Sequence, residues 1–217
     1  MRYELIEFAV FTLAARGQGL VPLHAGCVSL GNRGLLVLGE SGAGKSTLTL
    51  QCALTGLEFL SEDSVLVSPA TLEATGVPNF AHLCRDALKF FSPGVAAVLR
   101  RSPMIQRRSG MTKFEINLRD SVFKLAAAPV QIVGAVFLST KRANGAMLLS
   151  LSGREAAARL RATQPYGAAQ PGWRLFSRGF NRRPAFELRR AAEPAEAARV
   201  MKSLLHARNL RSNGQIT

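Results

Sequence analysis

A short apolar run, a glycine-rich loop and an amphipathic segment follow one another near the start of the chain. The run Gly34-Leu35-Leu36-Val37-Leu38 has the length and composition of a buried strand. Residues 47–54, Thr-Leu-Thr-Leu-Gln-Cys-Ala-Leu, predict a helix. Gly56 stands just beyond them, where a glycine commonly ends a helix. The pattern therefore predicts strand, loop and helix in that order.

The residues before this strand predict a second strand paired with it. Residues 20–30 are largely apolar, and Gly31-Asn32-Arg33-Gly34 is a tight-turn signal between two apolar runs. We therefore expect a hairpin, and hence a mixed sheet, because a purely parallel sheet would need a crossover connection here. Residues 2–13 alternate loosely between apolar and polar positions and predict a further strand.

The rest of the pattern predicts an α/β protein. Ser152 suits the N-cap position of a helix, and two apolar runs within residues 57–67 flank an acidic pair. The predicted strands are 130–139, 146–151 and 184–188, the predicted helices are 153–162 and 193–206, residues 164–172 predict a loop, and residues 82–125 are ambiguous. We expect a single domain over residues 1–207 and a frayed tail over residues 208–217.

The loop after the first predicted strand has the spacing of a phosphate-binding loop. Residues 39–46 match G-x-x-x-x-G-K-[ST]. Glycines permit the positive φ angles that turn backbone N–H groups towards an anion. Lys45 supplies a charge for the β- and γ-phosphates, and Ser46 supplies a hydroxyl for Mg²⁺. The predicted nucleotide-binding residues are Gly39, Glu40, Ser41, Gly42, Ala43, Gly44, Lys45, Ser46 and Thr47.

An acidic pair and one histidine are further candidates for chemistry. Asp63 follows an apolar run, and a carboxylate at a strand end beside phosphates can hold Mg²⁺ or accept a proton from a hydroxyl. Glu62 can share these roles, although alternation along a strand would leave only one of the pair facing the site. His24 can orient a carboxylate or contact a phosphate. The competing interpretations are a solvated turn for the acidic pair and a structural role for His24.

Composition limits the classes of protein to consider. The 217 residues are 47% apolar, which is typical of a folded domain. No run approaches the roughly 18 apolar residues of a membrane span, and two acids interrupt the apolar start, unlike a signal peptide. We expect a cytoplasmic protein with no membrane partner. The three cysteines, Cys27, Cys52 and Cys84, are too widely spaced to predict a disulfide framework or a zinc site.

Several of these motifs together resemble the catalytic domain of HPr kinase/phosphorylase. The matching stretches are Leu23-His24-Ala25, the turn at residues 31–34, the strand and phosphate loop that follow, and Gly56-x-x-x-Leu60-x-Glu62-Asp63-x-Val65. Together they cover residues 20–68, roughly a quarter of the chain. The resemblance implies a fold related to phosphoenolpyruvate carboxykinase, in which a mixed, strongly twisted sheet surrounds the phosphate loop.

The same resemblance implies Mg²⁺-dependent transfer of a phosphoryl group from ATP to a serine hydroxyl. Carried over to this chain, Lys45 and the loop backbone hold phosphate, and Ser46 holds Mg²⁺. Asp63 is the base for the acceptor hydroxyl, and Glu62 is the neighbouring acid. His24 stands at the place of an active-site histidine. The predicted catalytic residues are thus Asp63, His24 and Lys45, and the predicted metal ligands are Ser46, Glu62 and Asp63.

The chain departs from the family in two respects. The family usually shows Asp-Asp where this chain has Glu62-Asp63, and the downstream glycine-rich signature linked to dephosphorylation is not found. We therefore expect a kinase without efficient phosphorylase activity. Arg85 and Lys89 are candidates for additional positive charge near the γ-phosphate, with a solvated surface as the competing interpretation.

Charge keeps a second function class open. Residues 1–75 hold 4 basic and 7 acidic side chains, net −3, whereas residues 76–217 hold 24 and 7, net +17. The sequence predicts a kinase that uses ATP and Mg²⁺ on a hydroxyl of a protein, a peptide or a small molecule. The alternative is a P-loop ATPase or nucleotide switch whose basic part binds an acidic partner or nucleic acid. Nucleic acid is the less expected partner because the basic clusters lack interleaved aromatics, and a homo-oligomer is compatible with the chain.

Overall fold

The computed structural model describes residues 2–77, 79–107, 110–119, 122–143, 147–191 and 193–207. Most of its strands belong to one large sheet, and three form a smaller one. The strands are β1 (Val21–Leu23), β2 (Gly26–Leu30), β3 (Arg33–Leu38), β4 (Glu58–Ser61), β5 (Val65–Val67), β6 (Glu73–Gly76), β7 (Phe80–Cys84), β8 (Met104–Gln106), β9 (Thr112–Asn117), β10 (Val130–Arg142), β11 (Leu148–Leu151) and β12 (Ala185–Arg190).

Helices cover both faces of the large sheet. They are α1 (Arg2–Gln18), α2 (Lys45–Leu54), α3 (Pro93–Arg100), α4 (Gly153–Thr163), α5 (Pro165–Ala168), α6 (Trp173–Phe180) and α7 (Pro194–His206), with a 3-10 helix over Arg85–Phe90. Within the described ranges, none of these helices is long and apolar enough to cross a membrane.

The large sheet is mixed, as predicted. Strand β3 pairs in parallel with β10, and β10 pairs in parallel with β12. On its other side β3 pairs antiparallel with β2, which confirms the predicted hairpin around Gly31, and β2 pairs antiparallel with β4. The sheet therefore runs in the order β1-β5-β6-β10-β3-β2-β4, with β11 and β12 attached beyond β10.

Strand β3 is buried on both faces, as its uninterrupted apolar run requires. Leu36 and Leu38 belong to one hydrophobic cluster, with side chains of α4 and α6. Leu35 and Val37 point to the opposite face and pack with apolar residues of α2 and α7. The strand that leads into the glycine-rich loop therefore lies at the centre of the fold, and the loop projects from a rigid support.

The ambiguous segment 82–125 forms much of the smaller sheet and its cover. Strands β7, β9 and β8 pair antiparallel in that order. Apolar residues of β7, β9, α3 and the 3-10 helix form a third cluster with Leu50 and Ala53 of α2 and Phe59 of β4. The smaller sheet is therefore packed beside the helix that follows the glycine-rich loop.

The predicted strand at residues 2–13 is wrong, because these residues lie in helix α1. Phe11, Ala14 and Ala15 are buried, and their spacing of three and four residues follows a helix rather than a strand. The helix ends before Gly19, whose φ is +66°. Most residues in this segment are apolar, so their pattern fits the period of a helix as well as that of a strand. The loose alternation was therefore not a reliable sign of a strand.

The predicted loop at 164–172 is wrong in part. Residues 165–168 form the short helix α5, which begins at Pro165, and a further helix, α6, that the sequence did not predict follows at Trp173. The other late predictions are confirmed: Ser152 and Glu155 form a capping box at the start of α4, and residues 185–190 form a strand. The predicted tail, residues 208–217, lies outside the described residues, as does Ala146 at the start of a predicted strand.

Candidate active site at the end of the central strands

Strand directions bring three separate sequence segments to one edge of the large sheet. The glycine-rich loop leaves the end of β3, and the start of β2 lies beside that end because Gly26 pairs with Val37. Strand β4 runs antiparallel to β2, with Cys27 opposite Ser61, so β4 also ends at this edge. Lys45, His24 and Asp63 therefore meet at this edge, although their segments are separated along the chain.

The loop glycines adopt the backbone conformations that the motif predicts. Their φ angles are +153° at Gly39, +81° at Gly42 and +100° at Gly44, a range that residues with a Cβ avoid. Gly44 is the N-cap of α2, and Lys45 is the first residue of that helix. The loop thus enters the helix with backbone N–H groups available at an N-terminus, which is a suitable place for an anion.

Lys45 is held against its own loop. Its Nζ donates hydrogen bonds to the carbonyl oxygen of Gly39 at 3.0 Å and to that of Glu40 at 3.2 Å. Only 7% of the residue is exposed. Burial lowers the pKa of the Lys45 ammonium, while the charges of Asp63 and Glu62 raise it in part. The ammonium therefore lies within the electrostatic influence of the acidic pair.

Asp63 and His24 form a direct pair. His24 Nδ1 lies 3.0 Å from Asp63 Oδ1. The antiparallel pairing of β1 with β5 explains this contact. Leu23 lies opposite Val65, so His24, which follows Leu23, comes close to Asp63, which shortly precedes Val65. Burial opposes ionisation of Asp63, but the hydrogen bond and charge of His24, with the charges of Arg107 and Lys45, outweigh it and lower the Asp63 pKa.

Two charged residues that the sequence analysis missed complete this cluster. The Nη2 atom of Arg107 lies 3.8 Å from Asp63 Oδ2 and 4.0 Å from Glu7 Oε2. Glu7, on α1, also accepts a hydrogen bond from Ser64 Oγ at 3.2 Å. Burial and the charge of Asp63 raise the pKa of Glu7. Nothing in the local sequence marks either residue, because both reach the site through distant chain segments.

Glu62, directly after the end of β4, contacts His82 of the smaller sheet. Its Oε1 accepts a hydrogen bond from the backbone N–H of His82 at 2.6 Å and lies 3.2 Å from His82 Nδ1. Both side chains are almost fully buried, and Glu115 Oε2 lies 3.5 Å from His82 Nε2. His82, which the sequence left without a role, therefore links the acidic pair to the smaller sheet.

Most of the side chains that could bind a metal ion here would do so through oxygen atoms. Mg²⁺ prefers hard oxygen ligands, which the hydroxyl of Ser46 and the carboxylates of Asp63 and Glu62 would supply. One ligand atom each from Glu7, His24 and Asp63 also lie within 4.8 Å of one another. The guanidinium of Arg107 already brings positive charge to that second group. The assignment of metal ligands therefore stays a prediction.

Arg85 and Lys89 lie on the 3-10 helix of the smaller sheet and are exposed. The Lys89 ammonium lies 5.2 Å from the ring centroid of its neighbour Phe90. In the part of the chain that the structure describes, the arginine close to Asp63 is Arg107. Arg107 is therefore a further candidate, beside Arg85 and Lys89, for positive charge near a bound γ-phosphate.

Comparison with known proteins shows distant similarity to solved structures. No protein-family model matches the chain, and no curated protein matches its sequence. Among solved structures, the chain is similar to the HPr(Ser) kinase/phosphatase from Coxiella burnetii, with 12% identity over 85% of this chain and 87% of that one and a TM-score of 0.39. The function proposed below rests on the chain's own residues instead.

Proposed function

We propose that this protein is an ATP- and Mg²⁺-dependent kinase that transfers the γ-phosphoryl group to a hydroxyl, with a serine of a protein or peptide as the first candidate acceptor. We further propose that its mixed sheet belongs to the fold shared by HPr kinase and phosphoenolpyruvate carboxykinase. The observation that carries the proposal is the convergence of the Lys45 loop with the Asp63–His24 pair, whose nitrogen and oxygen are 3.0 Å apart.

Phosphate binding is assigned to the loop. The backbone of residues 39–44 turns through three positive φ angles, and α2 begins at Lys45. In a protein of this kind, the loop N–H groups and the lysine hold the β- and γ-phosphates. Mg²⁺, when bound, would neutralise charge on the phosphate oxygens, and Ser46 and Asp63, with Glu62, are the residues proposed to hold it.

Asp63 is assigned as the base. The acceptor oxygen attacks the γ-phosphorus, its bond to phosphorus forms as the bond to the β-phosphate oxygen breaks, and ADP leaves. The hydroxyl proton passes to the Asp63 carboxylate. A lowered Asp63 pKa keeps this carboxylate ionised at neutral pH. His24 orients it, and the nearby Arg107 guanidinium stabilises negative charge on the transferring group.

The deciding experiment measures phosphate transfer from γ-labelled ATP with Mg²⁺, in the presence of free serine, a serine-containing peptide or HPr. We expect labelled acceptor with the wild type, none with Lys45→Ala, and none with Asp63→Asn although Asp63→Asn still binds ATP. Asp86→Asn, which changes an exposed acid on the 3-10 helix, is the matched control and should transfer phosphate normally.

The same experiment separates the alternative function. Release of free phosphate with every acceptor, or nucleotide binding without turnover, would contradict the kinase proposal. An ATPase or switch that uses the basic C-terminal two-thirds would then be the better account. Binding to an acidic partner or nucleic acid should in that case weaken steeply as salt rises.

A further inference from the structure

His24 lies in a two-residue link between two strands that belong to different pairings. Strand β1 ends at Leu23 and pairs with β5, whereas β2 begins at Gly26 and pairs with β3 and β4. The backbone groups of His24 fall outside both registers. A backbone N–H or carbonyl oxygen in such a position needs another hydrogen-bonding partner if it is withdrawn from water.

The side-chain amide of Gln164 supplies partners for both groups. Gln164 Oε1 accepts a hydrogen bond from the His24 N–H at 2.7 Å, and Gln164 Nε2 donates one to the His24 carbonyl oxygen at 3.0 Å. An amide side chain offers a donor NH₂ group and an acceptor oxygen, so it supplies both kinds of partner that an adjacent strand would give. Gln164 is only 2% exposed, so water competes little for these bonds.

The support of Gln164 is rigid. The residue lies where α4 ends and α5 begins, directly before Pro165, and the residue before a proline disfavours the helical conformation. Helix α5 approaches β1 closely, because a Cβ on Gly167 would lie 2.7 Å from the carbonyl oxygen of Pro22. The segment that carries the Gln164 amide is therefore packed against β1, the strand that His24 directly follows.

The orientation of the His24 imidazole depends on a fixed backbone. Its side chain is 48% exposed, compared with 15% for Asp63, so packing encloses the ring on one side at most. Its direction depends on the backbone that carries it and on the contact with Asp63. A tilt of the His24 peptide would change the 3.0 Å separation directly.

We infer that Gln164 is a positioning residue that holds the backbone of His24 so that its imidazole meets the Asp63 carboxylate. This inference rests on the proposed function for its effect on catalysis, but its structural part can be tested without any acceptor. The signals of the His24 ring nitrogens report the contact with Asp63 and can be followed by NMR in ¹⁵N-labelled protein.

The test compares Gln164→Ala and Gln164→Glu with the wild type. We expect the His24 ring signals to move towards those of a solvent-exposed histidine in Gln164→Ala, while those of His82 and His206 stay in place. Gln164→Glu keeps the acceptor and loses the donor, so a smaller shift is expected. If Gln164→Ala does not fold, Gln164→Glu decides the question alone. Unchanged His24 signals in a folded variant would overturn the inference.

Kinetics provide the second measurement. Misplacement of a catalytic group by about 1 Å can lower a rate by up to about 10²-fold, so we expect Gln164→Ala to lower kcat for transfer by between about 10-fold and 10²-fold. KM for ATP should not change, because the side-chain hydrogen bonds of Gln164 go to His24 and not to the phosphate loop. Gln51→Ala is the matched control, since Gln51 is also a buried amide and donates to the Phe90 carbonyl oxygen at 2.5 Å.

Failure of the kinase proposal and failure of the positioning role of Gln164 would give different results. A wild type that transfers no phosphate to any acceptor would remove the proposed function, and the NMR comparison would still decide whether Gln164 positions His24. A wild type that transfers phosphate, together with a Gln164→Ala variant of normal kcat, would leave the kinase proposal intact and contradict the positioning role.

Discussion

His24 Nδ1 lies 3.0 Å from Asp63 Oδ1. His24 lies in the link between β1 and β2, and Asp63 lies in the link between β4 and β5. The contact joins a half-exposed imidazole to a carboxylate that is 15% exposed. Such an arrangement lets the carboxylate meet a ligand from solvent while the ring stabilises its ionised form.

Replacement of His24 by glutamine should slow phosphate transfer without preventing nucleotide binding. A positioned acid–base group contributes about 10²- to 10⁴-fold to a rate, and His24 acts through Asp63, so a loss near the lower end of that range is expected. Transfer from labelled ATP measures it. The control is His206→Gln, because His206 is exposed and its Nδ1 contacts only the Lys202 carbonyl oxygen of its own helix among the contacts described. A normal rate in His24→Gln would show that the pair is structural.

The lowered pKa of Asp63 predicts a pH dependence of stability. Because the Asp63 carboxyl group releases its proton more readily in the folded protein than in the unfolded chain, its ionised form stabilises the fold at neutral pH. This stabilisation is present above the ordinary aspartate pKa of about 3.9 and is lost as the pH falls through the lower folded value. Asp63→Asn should therefore reduce the free energy of unfolding by about 1–3 kcal/mol at pH 7, and less at pH 3.

Urea denaturation at the two pH values measures this difference. Asp86→Asn is again the control, since a change at an exposed site usually alters stability by no more than about 0.5 kcal/mol. A difference between wild type and Asp63→Asn that grows on acidification would have the wrong sign for a lowered pKa and would contradict the prediction.

The sequence located the phosphate loop and the strands beside it because their signals are local. The turn at Gly31, the apolar run before Gly39 and the helix after Lys45 each depend on a few neighbouring residues, and all are found in the structure. Glu7, Arg107 and Gln164 lie at the site through packing of α1, the smaller sheet and α4, so no spacing along the chain marks them. The roles predicted for Glu62 and Ser46 stay predictions, because no bound metal or nucleotide tests them.

Arg107→Ala should lower the transfer rate more than it lowers ATP affinity. An arginine that stabilises charge in the transition state contributes to the rate rather than to ground-state binding, and a loss of about 10²-fold is expected for one such group. Arg107→Lys should recover only part of the rate, since a lysine lacks the planar guanidinium that lies between Asp63 and Glu7.

The matched control for Arg107 is Arg119→Ala. Arg119 is exposed and donates to Asn79 Oδ1 at 2.9 Å, away from the Asp63 cluster. Steady-state kinetics with varied ATP separate kcat from KM in all three variants. Equal losses in Arg107→Ala and Arg119→Ala would indicate a general effect of charge on this basic protein rather than a role at the site.

A glycine pair tests whether the loop conformation depends on its positive φ angles. Gly44 has a φ of +100°, and a Cβ there would meet nothing within 4 Å, so Gly44→Ala would be strained by its backbone alone. A left-handed conformation costs about 1–2 kcal/mol for a residue with a Cβ, and the free energy of unfolding should fall by about that amount. Nucleotide affinity should fall as well, because relief of the strain would turn backbone N–H groups away from the phosphates.

Gly94→Ala is the companion variant. Gly94 lies in the first turn of α3, and a Cβ there also meets nothing within 4 Å, but its φ is not in the left-handed range. Alanine at such a position stabilises a protein by about 0.4–1 kcal/mol, mainly by restricting the unfolded chain. The two substitutions should therefore shift the urea midpoint in opposite directions. A stable Gly44→Ala variant that binds nucleotide normally would mean that the loop does not need the conformation the structure gives it.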